Sequence, residues 1–137
     1  LGGVELDPDL TKMGPDAWSL GAVDFQLIFG RSKVATKALL LNQKRVAGLG
    51  NLLVDELLWR SGVSPMRPAN EVSPDAIVML GETLIPMLDE LYLRGGSTTG
   101  DHFGERHVEG RCPRDGSEMV HATIGGRSTW WCRTHQF

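Results

Sequence analysis

The run TKALLLNQKRVAGLGNLLVDELLWRSGV, from Thr36 to Val63, decides how this chain reads. Leu39, Leu40, Leu41, Val46 and Leu49 come first, and Leu52, Leu53, Leu57 and Leu58 follow at the three- and four-residue spacing of a helix with one apolar face. Two helices meet here. Between them Gly48-Leu49-Gly50 supplies backbone that can turn with positive φ, so the second helix is predicted to begin near Asn51. Its first N–H groups have no partner within the helix and suit an anion. At this level Asn51 has two roles open to it, a helix cap or a phosphate-facing side chain.

Outward from this run, residues that start and stop helices punctuate the chain. Val23 to Phe29 is predicted as a short helix with Phe25, Ile28 and Phe29 turned inward and Gly30 ending it. Ser73-Pro74-Asp75 offers an N-cap, a proline suited to the first helical position and a first-turn acid. A long helix should run from there to about Arg94, with Ile77, Leu80, Leu84, Leu88 and Leu91 as its core stripe, a kink at Pro86 and a stop at Gly95-Gly96. Ser97 to Arg111 is polar and glycine-bearing, which predicts a mobile loop. Residues 1–19, rich in Gly, Pro and Asp without a period, read as an irregular lead or linker remnant.

The net charge of −3 hides an uneven distribution. Residues 31–67 carry seven basic and two acidic side chains, whereas 68–93 carry five acidic and none basic. Arg31, Lys33, Lys37, Lys44 and Arg45 are therefore expected to line one face of the helix pair, either as a phosphate-binding patch or as an ordinary solvated surface. Asp55-Glu56 and Asp89-Glu90 are helix neighbours that point to different sides, so they make poor acid/base pairs, and Asp55 or Glu56 should order the helix start. No apolar run approaches a membrane span and the first residues lack an export signal, so a cytoplasmic location is expected.

Cys112-Pro113-Arg114-Asp115 and Cys132-Arg133-Thr134-His135 each place two candidate ligands three residues apart. A two-residue spacer lets both side chains of a knuckle face one ion, and two knuckles close a tetrahedron, so Cys112, Asp115, Cys132 and His135 form a possible zinc site on a hairpin. The alternative is a zincless hairpin packed by Trp130, Trp131 and Phe137, with the cysteines as thiols or as a disulfide pair. Two cysteines beside such residues point to an intracellular metal site, or its relic, rather than to a secreted disulfide framework. His102, His107 and His121 lack ligand spacing and read as surface or loop residues.

Lys37, the run Val46 to Asn51, the segment Asp55 to Pro65, Gly95-Gly96-Ser97-Thr98-Thr99 and the terminal Gly126 to Gln136 together resemble the formamidopyrimidine-DNA glycosylase and endonuclease VIII family. The resemblance extends from about Phe25 to the C-terminus. It implies a mainly α fold, with a helix-two-turn-helix DNA-binding domain over 20–96, followed over 97–137 by a loop and a zinc-finger-like β-hairpin. It also implies that Lys37 and Asn51 contact phosphates around a damaged nucleotide, joined by Arg127 at the tip of the hairpin. In the family all four finger positions are cysteine, whereas Asp115 and His135 stand here.

Members of that family react through an amino-terminal proline amine and an adjacent glutamate, while this sequence begins Leu1-Gly2-Gly3 with its first carboxylate at Glu5. Only the stretch Gly100 to Arg111 lies between the threonine pair and Cys112, which is short for the loop that covers an extruded base in many relatives. The expectation is a truncated paralogue with no catalytic residues, gripping abasic or damaged duplex DNA without excising a base. Two alternatives stay open. One is part of a bifunctional glycosylase and abasic lyase whose amino-terminal domain lies outside this chain, which a first residue of Leu rather than Met allows. The other is an RNA-binding module.

Overall fold

The computed structural model describes residues 22–42, 46 and 48–137. The irregular lead, Lys44 and Arg45 lie outside the described residues. Among the described residues four α-helices come first, α1 (Ala22–Phe29), α2 (Thr36–Leu41), α3 (Asn51–Ser61) and α4 (Pro74–Arg94), and then an antiparallel hairpin of β1 (Met119–Ile124) and β2 (Arg127–Cys132). Among the described residues no helix is long and apolar enough to cross a membrane.

The apolar periodicity builds one core among the helices. Phe25 and Phe29 of α1, Leu39 and Leu40 of α2, Val54, Leu57 and Leu58 of α3, and Leu80, Leu84, Leu88 and Leu91 of α4 are all buried in it. Local chemistry fixes the ends of α4. The Ser73 hydroxyl accepts the Ala76 N–H at 3.1 Å, Pro74 follows, and Gly95 at φ +117° lets its N–H reach the Leu91 and Tyr92 carbonyls. The helix runs on through Pro86, which lies on an exposed face together with Glu82. The carbonyl left without a donor by the proline is that of Glu82, where water can serve it.

α3 departs from a simple amphipathic reading, because Asp55 and Glu56 are as buried as Leu57 and Leu58. Its apolar side meets α4 and its acidic side meets β2 and the segment after α4. Gly50 caps this helix and Asn51 is its first residue, so Asn51 is not the cap.

The hairpin turns on Gly125 and Gly126, with φ of +62° and +76°, the left-handed pair that a two-residue turn between twisted strands requires. Arg127 is thus the first residue of β2, paired with Ile124, rather than the centre of the turn. Trp59, Cys112, Met119 and Cys132 form a second small core, against which Trp130 packs. Trp131 is buried, but Phe137 is 68% exposed and does not pack the hairpin as expected. Gln136 is buried instead: its side-chain oxygen accepts the Cys132 N–H at 2.8 Å and its amide donates to the Val63 carbonyl at 3.0 Å. The finger is in this way fastened to the end of α3.

Candidate nucleic-acid interface and metal centre

The predicted binding residues converge on one peptide group of the hairpin. Asn51 Nδ2 donates to the Ser128 carbonyl at 3.1 Å, and Lys37 Nζ donates to the same oxygen at 3.2 Å and to Thr129 Oγ1 at 2.6 Å. Arg127 immediately precedes Ser128, and its side chain is exposed. Lys37 is not. It is fully buried, and its ammonium pairs with Asp55 at 2.7 Å. Burial pushes the Lys37 ammonium below its usual range, and Asp55 offsets that only in part, while Arg106 and Arg127 add repulsion. In this arrangement Lys37 braces the hairpin from inside.

Sequence reading missed Arg106, Asp55 and Thr129 at this site. The Arg106 guanidinium pairs with Asp55 and reaches the Ser128 carbonyl at 3.3 Å, and the Trp130 N–H donates to Asp55 at 3.3 Å. One buried carboxylate thus faces Lys37 and Arg106, with Arg127 close enough to perturb Lys37. The cluster has an excess of positive charge. The only signal for Asp55 in the sequence was its place within a leucine-rich helix, where a carboxylate needs a partner.

The segment predicted to be a mobile loop is tied to α3. Glu56 accepts the Asp101 and His102 N–H groups at 3.0 and 3.3 Å, meets His102 Nδ1 at 2.7 Å and pairs with Arg60 at 2.7 Å. His102 is 1% exposed, which corrects its reading as a surface residue, and its ring stacks on Trp59. Burial alone would raise the Glu56 carboxyl, but hydrogen bonds from His102 and Arg60 outweigh it and hold the group at about 2. Gly100 lies so close that a Cβ there would sit 2.4 Å from Glu56 Oε1. His107 and His121 are exposed, and His121 stacks on Trp130 with Nε2 2.8 Å from Ser128 Oγ.

The four finger positions come together. One donor atom each from Cys112, Asp115, Cys132 and His135 lies within 4.8 Å of the others, and both cysteines are free thiols, not a disulfide. Cys112 Sγ to His135 Nδ1 is 3.6 Å, Cys132 Sγ to Asp115 Oδ2 is 3.1 Å, and His135 Nδ1 to Asp115 Oδ2 is 3.3 Å. Tetrahedral zinc with ordinary bond lengths needs edges of roughly 3.3–3.8 Å. The two edges at His135 lie in that range and the Cys132–Asp115 edge is shorter, and these four donors are a set that could hold a metal ion. The Ser117 hydroxyl and N–H hold Asp115 Oδ1, leaving Oδ2 to face the cluster, and these bonds keep the carboxyl well below the usual carboxylate range. Burial raises the Cys132 thiol, and a bound cation would reverse that preference.

The chain matches the family described as "Formamidopyrimidine-DNA glycosylase H2TH domain" over residues 13–102. Formamidopyrimidine-DNA glycosylase of Roseiflexus sp. (strain RS-1) is 35% identical, across 78% of this chain and 44% of that protein. The Lactiplantibacillus plantarum protein of the same name is also 35% identical, across 93% of this chain and 52% of its own length. Among solved structures, the Lactococcus lactis glycosylase non-covalently bound to DNA containing an AP site aligns with a TM-score of 0.83 at 29% identity, covering 98% of this chain and 54% of that one. The MutM (Fpg) protein from Thermus thermophilus aligns with a TM-score of 0.80 at 33% identity, covering 98% and 57%. The helix pair and the ligand-bearing hairpin therefore define a helix-two-turn-helix protein with an appended finger. The chain belongs to the formamidopyrimidine-DNA glycosylase family, and it spans about half the length of the relatives it matches.

Proposed function

We propose that this chain is a DNA-gripping unit that holds the backbone of abasic or damaged duplex DNA through Asn51 and Arg127, with Lys37 and Arg106 setting the hairpin against α3. One observation carries this: donors from α2, α3 and the segment after α4 meet β2 at Ser128, beside an exposed Arg127, around a single carboxylate. Such a cluster attracts phosphate in any sequence context, which suits recognition of a backbone around a lesion. Relatives bound to DNA with an abasic site support the same partner.

Cys112, Asp115, Cys132 and His135 would hold zinc, whose chemistry here is structural cross-linking of the two knuckles. Asn51 and Arg127 grip DNA in this reading, and the chain does not excise a base. The buried amine of Lys37 is sealed by Asp55 and Thr129 and is not presented to a sugar. In a longer protein the same grip would serve base excision.

Fluorescence anisotropy with an abasic duplex, an undamaged duplex and a structured RNA tests the assignment, with borohydride trapping on the abasic duplex run in parallel. Tightest, salt-sensitive binding to the abasic duplex and no trapped adduct are expected. Preference for the RNA would replace the DNA assignment, and an adduct lost in Lys37→Ala would show that this amine leaves Asp55 and attacks the sugar.

A further inference from the structure

We propose that Trp59 is the positioning residue of the metal centre, holding two of its four ligands from α3, outside the finger that carries them. The proposal rests on the zinc assignment above. The Trp59 indole N–H donates to Cys112 Sγ at 3.3 Å, and its backbone carbonyl lies 2.8 Å from His135 Nε2. A carbonyl only accepts, so the imidazole proton sits on Nε2 and the lone pair is on Nδ1. Nδ1 is the atom that faces Cys112 Sγ and Asp115 Oδ2.

The two contacts act differently. The carbonyl fixes the tautomer and orientation of His135, a service any residue at position 59 gives. The indole N–H is particular to tryptophan, and together with the Arg114 backbone N–H, 3.4 Å from the same sulfur, it withdraws charge from a thiolate that would also bind the metal. The ring is held where it aims this bond: Trp59 is 5% exposed, His102 stacks on it at 5.6 Å and 8°, His135 meets it edge-on at 84°, and the Arg114 guanidinium lies 5.1 Å from its centroid. Because His102 bonds to Glu56, the support of the site continues into the acidic side of α3.

Trp59→Phe keeps a ring and the carbonyl but removes the N–H. Zinc affinity, measured by competition with a chromophoric chelator, should fall about tenfold, the lower end of what loss of an outer hydrogen bond to a ligand costs. In the cobalt-loaded variant the thiolate-to-metal charge-transfer bands should move to lower energy, since the sulfur has lost a donor. A change of packing alone would not move those bands in that direction. In the wild-type chain loaded with cadmium-113, one indole N–H proton should show scalar coupling to the metal through the N–H···S bond, a measurement that needs no variant to fold. A wild-type chain that takes up no zinc would remove the zinc assignment itself. Metal uptake by the wild type with unchanged affinity and bands in Trp59→Phe, or with no indole–cadmium coupling, would overturn the role of Trp59 alone.

Discussion

Glu56 is nearly inaccessible, yet it is ionised because every direction around it supplies a donor: His102, Arg60 and the N–H of Asp101. Its folded carboxyl is held at about 2 against an ordinary value of 4.5. A lowered folded value means that the stabilisation is complete above the ordinary value and is lost as pH falls from about 4.5 toward 2, on the order of 3 kcal/mol across that window. Glu56→Gln keeps the size of the side chain without the charge. Denaturant titrations at several pH values should show the variant less stable near neutrality, with the gap to wild type closing through that acid window. A gap independent of pH would mean that shape, and not the carboxylate charge, holds the segment after α4.

The elements whose ends are set by neighbouring residues were legible in the sequence, and those set from a distance were not. Ser73, Pro74 and Gly95 act within a turn of where they stand, so both ends of α4 could be read directly. The hairpin's existence followed from the ligand spacing, and its paired glycines fix the turn. Asp101, His102 and Arg106, by contrast, are ordered by Glu56 and Asp55, some 45 to 51 residues away, and nothing adjacent to them records it. For the same reason Arg106 escaped notice at the site and Lys37 looked like a surface cation. The glycine turn gives a graded test. Gly126→Ala meets open space and should cost about 1 kcal/mol for its left-handed backbone. Gly125→Ala adds a Cβ 3.3 Å from the Ala38 Cα, so urea denaturation should show the larger loss there. Equal losses would mean that the hairpin tip does not rest on α2.

Across the whole molecule the proposed grip belongs to no single segment: α2 gives Lys37, α3 gives Asn51 and Asp55, the stretch after α4 gives Arg106, and β2 gives Arg127. An overall charge of −3 is compatible with holding DNA because the acidic excess of 68–93 lies in a different stretch from this cluster. The geometry separates two kinds of cation by their salt dependence. Arg127 is exposed and free to meet a phosphate, so Arg127→Ala should weaken binding, leave the melting temperature unchanged and lower the slope of log affinity against log salt by about one. The ammonium of Lys37 is buried against Asp55 and does not meet a phosphate directly, so it should release little counterion from DNA. Lys37→Met should therefore weaken binding by letting the hairpin drift from α3, lower the melting temperature and leave the slope near the wild-type value. If Lys37→Met instead lowers the slope by about one, as Arg127→Ala should, the lysine leaves Asp55 for a phosphate when DNA arrives, and Arg106 remains as the partner of that carboxylate.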